Sequence, residues 1–180
     1  MQKQALIEAL EDSRIEFIEI LDEVGDDALD QGGVASVWSV RDILAHLAFW
    51  EGQMVALLFH AARSTAAPDL PLFTPDQDAI NARQSAQNAE RSFDAIYADF
   101  IGVRKQLVRR VREWREADLN DAARFPYLEE SSLADWIERV VLDHEALHLE
   151  QIGDWVERQE AGRQENKHLD DQNNGAAPHA

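Results

Sequence analysis

Cysteine is absent from this 180-residue chain, which excludes disulfides, thiolate metal sites and cysteine nucleophiles. Any metal must therefore be held by His, Asp or Glu. Long apolar runs are absent as well: the longest, Met54 to Phe59, falls far short of the roughly 18 residues needed to span a bilayer. The start Met1-Gln2-Lys3-Gln4 has no signal-peptide core, so the expected location is the cytoplasm, without a membrane partner. Cations are scarce. Lys and Arg number 17 against 35 Asp and Glu, a net charge of −18 that disfavours ligands bound through phosphates, so no nucleic-acid partner is expected. No internal repeat and no two-residue alternation stands out, and nothing argues for a sheet.

What is present is enough for a core, since 45% of the residues are hydrophobic and the length fits one domain. Leu6, Leu10, Ser13, Phe17, Ile20 and Val24 step by four and three, the signature of a helix with one buried stripe. Ser39 and Asp42 form a capping box that opens a second helix, with Ile43, Leu47, Trp50, Met54, Leu57 and Ala61 as its stripe. Pro68, Pro71 and Pro75 mark residues 65 to 74 as a connection. That length could run back along a helix of about 30 Å and allow a parallel pairing of helices two and three. A third helix is predicted from 75 to about 117, sparse in apolar residues before 93 and open to division into a short and a long helix. Ser132 and Asp135 form another capping box, opening a last helix to about 160. The reading is all-α, a four-helix bundle over residues 1–160 with a flexible tail over 161–180, whose composition cannot offset the entropy of ordering.

The last helix carries Ile137, Val141, His144, His148, Gln151 and Trp155 on one stripe, so polar side chains interrupt an apolar seam. His144 and His148 lie one turn apart, the spacing at which two imidazoles converge on one ion. Six histidines in 180 residues produce about 0.2 such pairs by chance, so the pair alone is a weak signal. His46, about 40° of arc from Trp50 on helix two, offers a third imidazole across the bundle. Three nitrogens around a divalent ion would leave coordination open, as in catalytic sites. Hydrogen-bonded core histidines are the competing explanation.

Three stretches, Trp38-Ser39-Val40-Arg41-Asp42-Ile43-Leu44-Ala45-His46-Leu47, Asp78-Ala79-Ile80-Asn81-Ala82 and Asp143-His144-Glu145-Ala146-Leu147-His148-Leu149-Glu150-Gln151-Ile152, resemble the DinB/YfiT-like superfamily and within it the ClbS/DfsB-like branch. The resemblance spans residues 1 to 158. It implies an up-down-down-up bundle, often a homodimer, in which His46, His144 and His148 hold a divalent metal (Zn, Ni, Fe or Mn) with Gln151 beside them. It also implies a metal-dependent enzyme acting on small electrophilic molecules, by hydrolysis or by transfer of a low-molecular-weight thiol, in detoxification or resistance. It carries no DNA-binding role. The alternative is a metal-free module that binds or sequesters a small molecule; a third is a structural dimer with packed histidines.

No catalytic side chain is singled out. Asp42 could orient His46, but the capping box already accounts for it. Asp143, Glu145 and Glu150 point away from the seam and read as solvated, leaving Glu145 a minor candidate base. Gln53, Asn81 and Tyr127 could contact a substrate or be ordinary surface and loop residues, and Trp50 could wall the site or simply pack. Arg104, Lys105, Arg109, Arg110, Arg112 and Arg115 complement a helix dipole more readily than they form an anion patch. His60, His168 and His179 have no visible partner and no assigned role.

Overall fold

A computed structural model describes the backbone of residues 2–174 and the side-chain surroundings of residues 2–165. Its described residues are helical, with no strand among them. Four long helices form the body: α1 (Lys3–Val24), α2 (Val40–Ala61), α4 (Phe93–Glu113) and α7 (His144–Asn174). Shorter ones lie between them: α3 (Gln77–Asn88), α5 (Glu116–Leu119) and α6 (Leu133–Ile137), which continues through a π-helical segment, Glu138–Asp143, into α7.

The starts of α2 and α6 follow from local chemistry. Ser39 Oγ accepts from the Asp42 N–H while Asp42 Oδ2 accepts from the Ser39 N–H at 3.0 Å, and Ser132 and Asp135 repeat the arrangement. Gly25, at φ 75°, ends α1 in the left-handed region that only glycine enters without strain. The predicted third helix is two helices. Asp76 caps α3 and Ser92 caps α4, each accepting from the backbone N–H three residues on. The last helix does not stop near 160: Gln, Glu, Arg and Lys are good helix formers, and the backbone stays helical to Asn174. Residues 175–180 of the expected tail lie outside the described residues.

Side-chain pairings set the topology. Arg41 reaches the Arg91 carbonyl, Glu51 meets Arg104 and Arg110 lies over Phe59, so α2 and α4 run parallel. Phe17 packs on Phe100 while Arg112 pairs with Glu11, so α1 is antiparallel to α4. Ser13 meets Glu145 and Gly153 abuts Ile20, so α1 and α7 run parallel. The crossover between the parallel helices is the whole of residues 62–92, α3 included, rather than the ten residues 65 to 74.

The core falls into two apolar compartments. One gathers Leu6, Leu10, Met54, Leu57, Leu107, Val111 and Phe125; the other gathers Phe17, Leu21, Ile43, Leu44, Ile96, Phe100 and Trp155. Each stabilises the bundle through apolar area removed from water. α2 alone among the described helices is long and apolar enough to cross a membrane by length and composition. Its apolar face is spent on the bundle instead, with Ile43, Leu44, Met54, Leu57 and Leu58 fully buried.

Candidate metal centre

Sequence spacing places His144 and His148 one turn apart on α7, and the bundle brings His46 of α2 to meet them. His46 Nε2 lies 2.9 Å from His144 Nε2, which lies 3.2 Å from His148 Nε2. The candidate donor atoms of the three residues all fall within 4.8 Å of one another. Two nitrogens about 2.05 Å from a shared ion stand about 2.9 Å apart at a right angle and about 3.3 Å apart at the tetrahedral angle. The two Nε2–Nε2 distances fit that range.

Each imidazole is also held from outside. His148 Nδ1 meets Gln151 Oε1 at 2.8 Å, which sets the proton on Nδ1 and turns the Nε2 lone pair to the cluster. His144 hydrogen-bonds the Val140 backbone, and His46 hydrogen-bonds Asn81, whose Oδ1 accepts from Trp50 Nε1 at 2.9 Å. Trp38 packs on His46, ring centroids 4.8 Å apart, and stacks at 6.5 Å on His148.

Electrostatics favour the metal-binding protonation state. Burial, then the charge that His144 and His148 would carry, pushes His46 down to about 3 against the opposing hydrogen bond to Asn81. Burial, then His148, lowers His144 to about 4, and burial lowers His148. Near neutral pH all three are uncharged, with lone pairs available.

His46 and His144 line a cavity of about 610 Å³, with His148 buried behind them. Trp50, Leu72, Trp136 and Leu147 supply apolar wall, while Gln77, Asn81, Arg139 and Asp143 supply polar groups. Of the residues expected near a substrate, Trp50 and Asn81 line this space. Gln53 does not, nor does Tyr127, whose ring packs on Phe73 and Phe125. Asp42 serves the Ser39 cap, its Oδ2 taking both the Ser39 N–H and the Ser39 hydroxyl.

Glu145 is not solvated. It is 2% exposed, its Oε1 taking Arg14 Nε at 2.9 Å and its Oε2 taking Arg104 Nη2 at 2.6 Å and Ser13 Oγ at 2.9 Å. A carboxylate so tied is no free base. Arg104, read as a helix-dipole cation, is likewise buried, between Glu145 and Glu51. The stripe through His144 and His148 hides this, because Glu145 begins the neighbouring stripe and the π-helical turns before it shift the phase. Trp38, Trp136, Leu147 and Asp143 also escaped the sequence reading as site walls; Trp38, Asp143 and Leu147 lie inside the stretches that carry the family resemblance, whereas Trp136 carried no signal.

Residues 9–152 match the model of the DinB superfamily, and the chain belongs to that superfamily. An uncharacterised protein, YuaE of Bacillus subtilis (strain 168), is 26% identical over 155 residues, covering 82% of this chain and 94% of its own. The crystal structure of the colibactin self-resistance protein ClbS in complex with a dsDNA has a TM-score of 0.70 at 13% identity, covering 85% of this chain and 94% of its own. An uncharacterised protein from Escherichia coli UTI89 has a TM-score of 0.68 at 16% identity, covering 88% of this chain and 95% of its own. These two share the fold.

The ClbS complex corrects the expectation that nucleic acid is excluded: a protein of this fold is found on duplex DNA. Net charge is a sum over the whole chain, whereas phosphates meet a local surface, so −18 cannot exclude such a partner.

Proposed function

We propose that this DinB-superfamily chain is a cytoplasmic metal-dependent enzyme acting on small electrophilic molecules, by hydrolysis or by transfer of a low-molecular-weight thiol, in detoxification or resistance. The observation that carries the reading is the convergence of three uncharged imidazoles, His46, His144 and His148, two of which, His46 and His144, line a roomy cavity. Their all-nitrogen donor set suits Zn, Ni or Fe better than Mn, which prefers oxygen donors. Bound there, a divalent ion supplies Lewis-acid polarisation and lowers the pKa of a nucleophile.

The chain's own residues do the rest. Gln151, Asn81 and the Val140 backbone hold the imidazole orientations. Trp50, Leu72, Trp136 and Leu147 exclude water and bury the apolar part of a substrate. Asp143, in the cavity lining, is the carboxylate able to accept a proton.

The test incubates metal-replete protein with epoxides, cyclopropanes and alkylating agents, with and without small thiols, and counts product molecules per chain. Many products per chain, abolished in His46→Ala, His144→Ala and His148→Ala, support the enzyme. Consumption that stops at one equivalent, or that persists in those variants, replaces it with a sequestration module.

A second reading, duplex DNA binding, draws on the ClbS complex and on one feature of this chain. Arg63, Arg110, Arg115 and Arg124 line a cleft with Phe59 and Trp114, where four cations outnumber Glu113 and Asp118, the carboxylates that pair with three of them. It predicts binding of a labelled duplex that weakens with salt and with Arg63→Ala; no binding at low salt refutes it.

A further inference from the structure

Between the two apolar compartments lies a charged layer. Arg14 of α1, Glu51 of α2, Arg104 of α4 and Glu145 of α7 have side chains no more than 7% exposed. Arg14 pairs with Glu51 at 2.6 Å and Glu145 at 2.9 Å; Arg104 pairs with each carboxylate at 2.6 Å. Every cation meets both anions and every anion both cations. The ring is closed and its formal charges cancel. Arg104 also donates to Ser13 Oγ at 2.9 Å and to the Leu10 carbonyl, and Arg14 donates to the Phe100 carbonyl.

Such a ring adds little net stability, since desolvating four charges consumes most of what their attraction returns and apolar side chains of similar volume do as well. Its distinctive property is direction. Apolar contacts tolerate sliding, whereas hydrogen bonds near 2.6 Å between planar groups do not. The ring touches all four long helices, and two of its members adjoin the imidazoles: Glu145 follows His144, and Glu51 lies five residues, about 7.5 Å of rise, beyond His46. Just before His144 the helix runs through the π-helical turns Glu138–Asp143. Their relaxation to α-helix would shift the register by one residue and swing His144 about 100° around the axis.

We infer that Arg14, Glu51, Arg104 and Glu145 are positioning residues for the metal centre, a closed ion-pair ring that locks α7 against α2 at the register where the three imidazoles meet. The inference rests on the metal-centre reading, and its test separates the two.

Two variants are compared with wild type: Glu145→Gln, and the apolar replacement Arg14→Met, Glu51→Leu, Arg104→Met, Glu145→Leu. Zn²⁺ affinity is measured by competition with a chromogenic chelator, melting temperature on chelated protein, and the metal-free apolar variant is crystallised. The apolar variant is expected to fold with a metal-free melting temperature at or above that of Glu145→Gln, yet to bind Zn²⁺ roughly 10- to 100-fold more weakly than wild type. Its Nε2 atoms should open beyond about 4.2 Å, the span of two Zn–N bonds in line. Should it fail to fold, Glu145→Gln carries the test with the same expected loss of affinity. Wild-type affinity in a folded variant, or imidazoles unmoved in the crystal, overturns the inference. Wild type that takes up no Zn²⁺ defeats the metal reading instead, and the imidazole spacing in the crystal then decides positioning alone.

Discussion

Replacing Arg104 by alanine removes one cation from a ring with no spare one. The guanidinium is 4% exposed and reaches Glu51 Oε1, Glu145 Oε2, Ser13 Oγ and the Leu10 carbonyl. Burial pulls its pKa down, and Glu51 and Glu145 more than offset that, so the net shift is upward; at Arg14 burial prevails and the net shift is downward. Without Arg104 two buried carboxylates share Arg14, leaving one negative charge uncompensated beside a void. Breaking a buried pair from one side costs about 3–5 kcal/mol. Against a total stability of about 5–15 kcal/mol this is a large fraction. At about 2–4 °C per kcal/mol for a chain of this size, the melting temperature should fall by roughly 6–20 °C. Calorimetry on chelated protein isolates this from metal binding. A control, Arg112→Ala, removes an exposed ion pair with Glu11 and should move stability by no more than about 1 kcal/mol. Equal effects of Arg104→Ala and Arg112→Ala would refute the buried-ring account.

Ser39→Ala and Ser132→Ala each remove a capping box and should cost about 1 kcal/mol in denaturant unfolding. In metal-free protein the unfolded imidazoles take protons near pH 6.5, whereas folded His46 and His144 resist until about 3 and 4. The unfolded chain therefore binds more protons below pH 6.5, and stability complete above that value should decline as pH falls toward 3. Urea midpoints across that window check it, and His46→Asn should flatten the decline. Chelation of metal-loaded protein should lower its melting temperature, with no such response in His144→Ala.

The helices were legible because their stripes are regular and two of their starts carry capping boxes; the stripe of α2 is buried throughout. The division at Ala89–Ser92 was harder to place, since α3 buries no side chain fully and leaves little pattern. The imidazole cluster showed through its four-residue spacing and family resemblance. The charged ring did not: Leu10-Arg14-Phe17, Leu47-Glu51-Met54 and Phe100-Arg104-Leu107 step by four and three, while Glu145 sits one position past His144 on the neighbouring stripe. A charge on a stripe reads as an interruption within one helix. Its meaning appears only when four helices are set side by side and the signs are found to cancel, which is information about tertiary register rather than about any local segment.

The most direct test of the metal centre is the metal content of purified, untagged protein by elemental analysis, after exposure to Zn²⁺, Ni²⁺, Fe²⁺ or Mn²⁺ and extensive dialysis. The account predicts about one divalent ion per chain in wild type and none in His144→Ala or His148→Ala. A folded wild-type protein that retains none of these ions, or variants that retain as much as wild type, would contradict it.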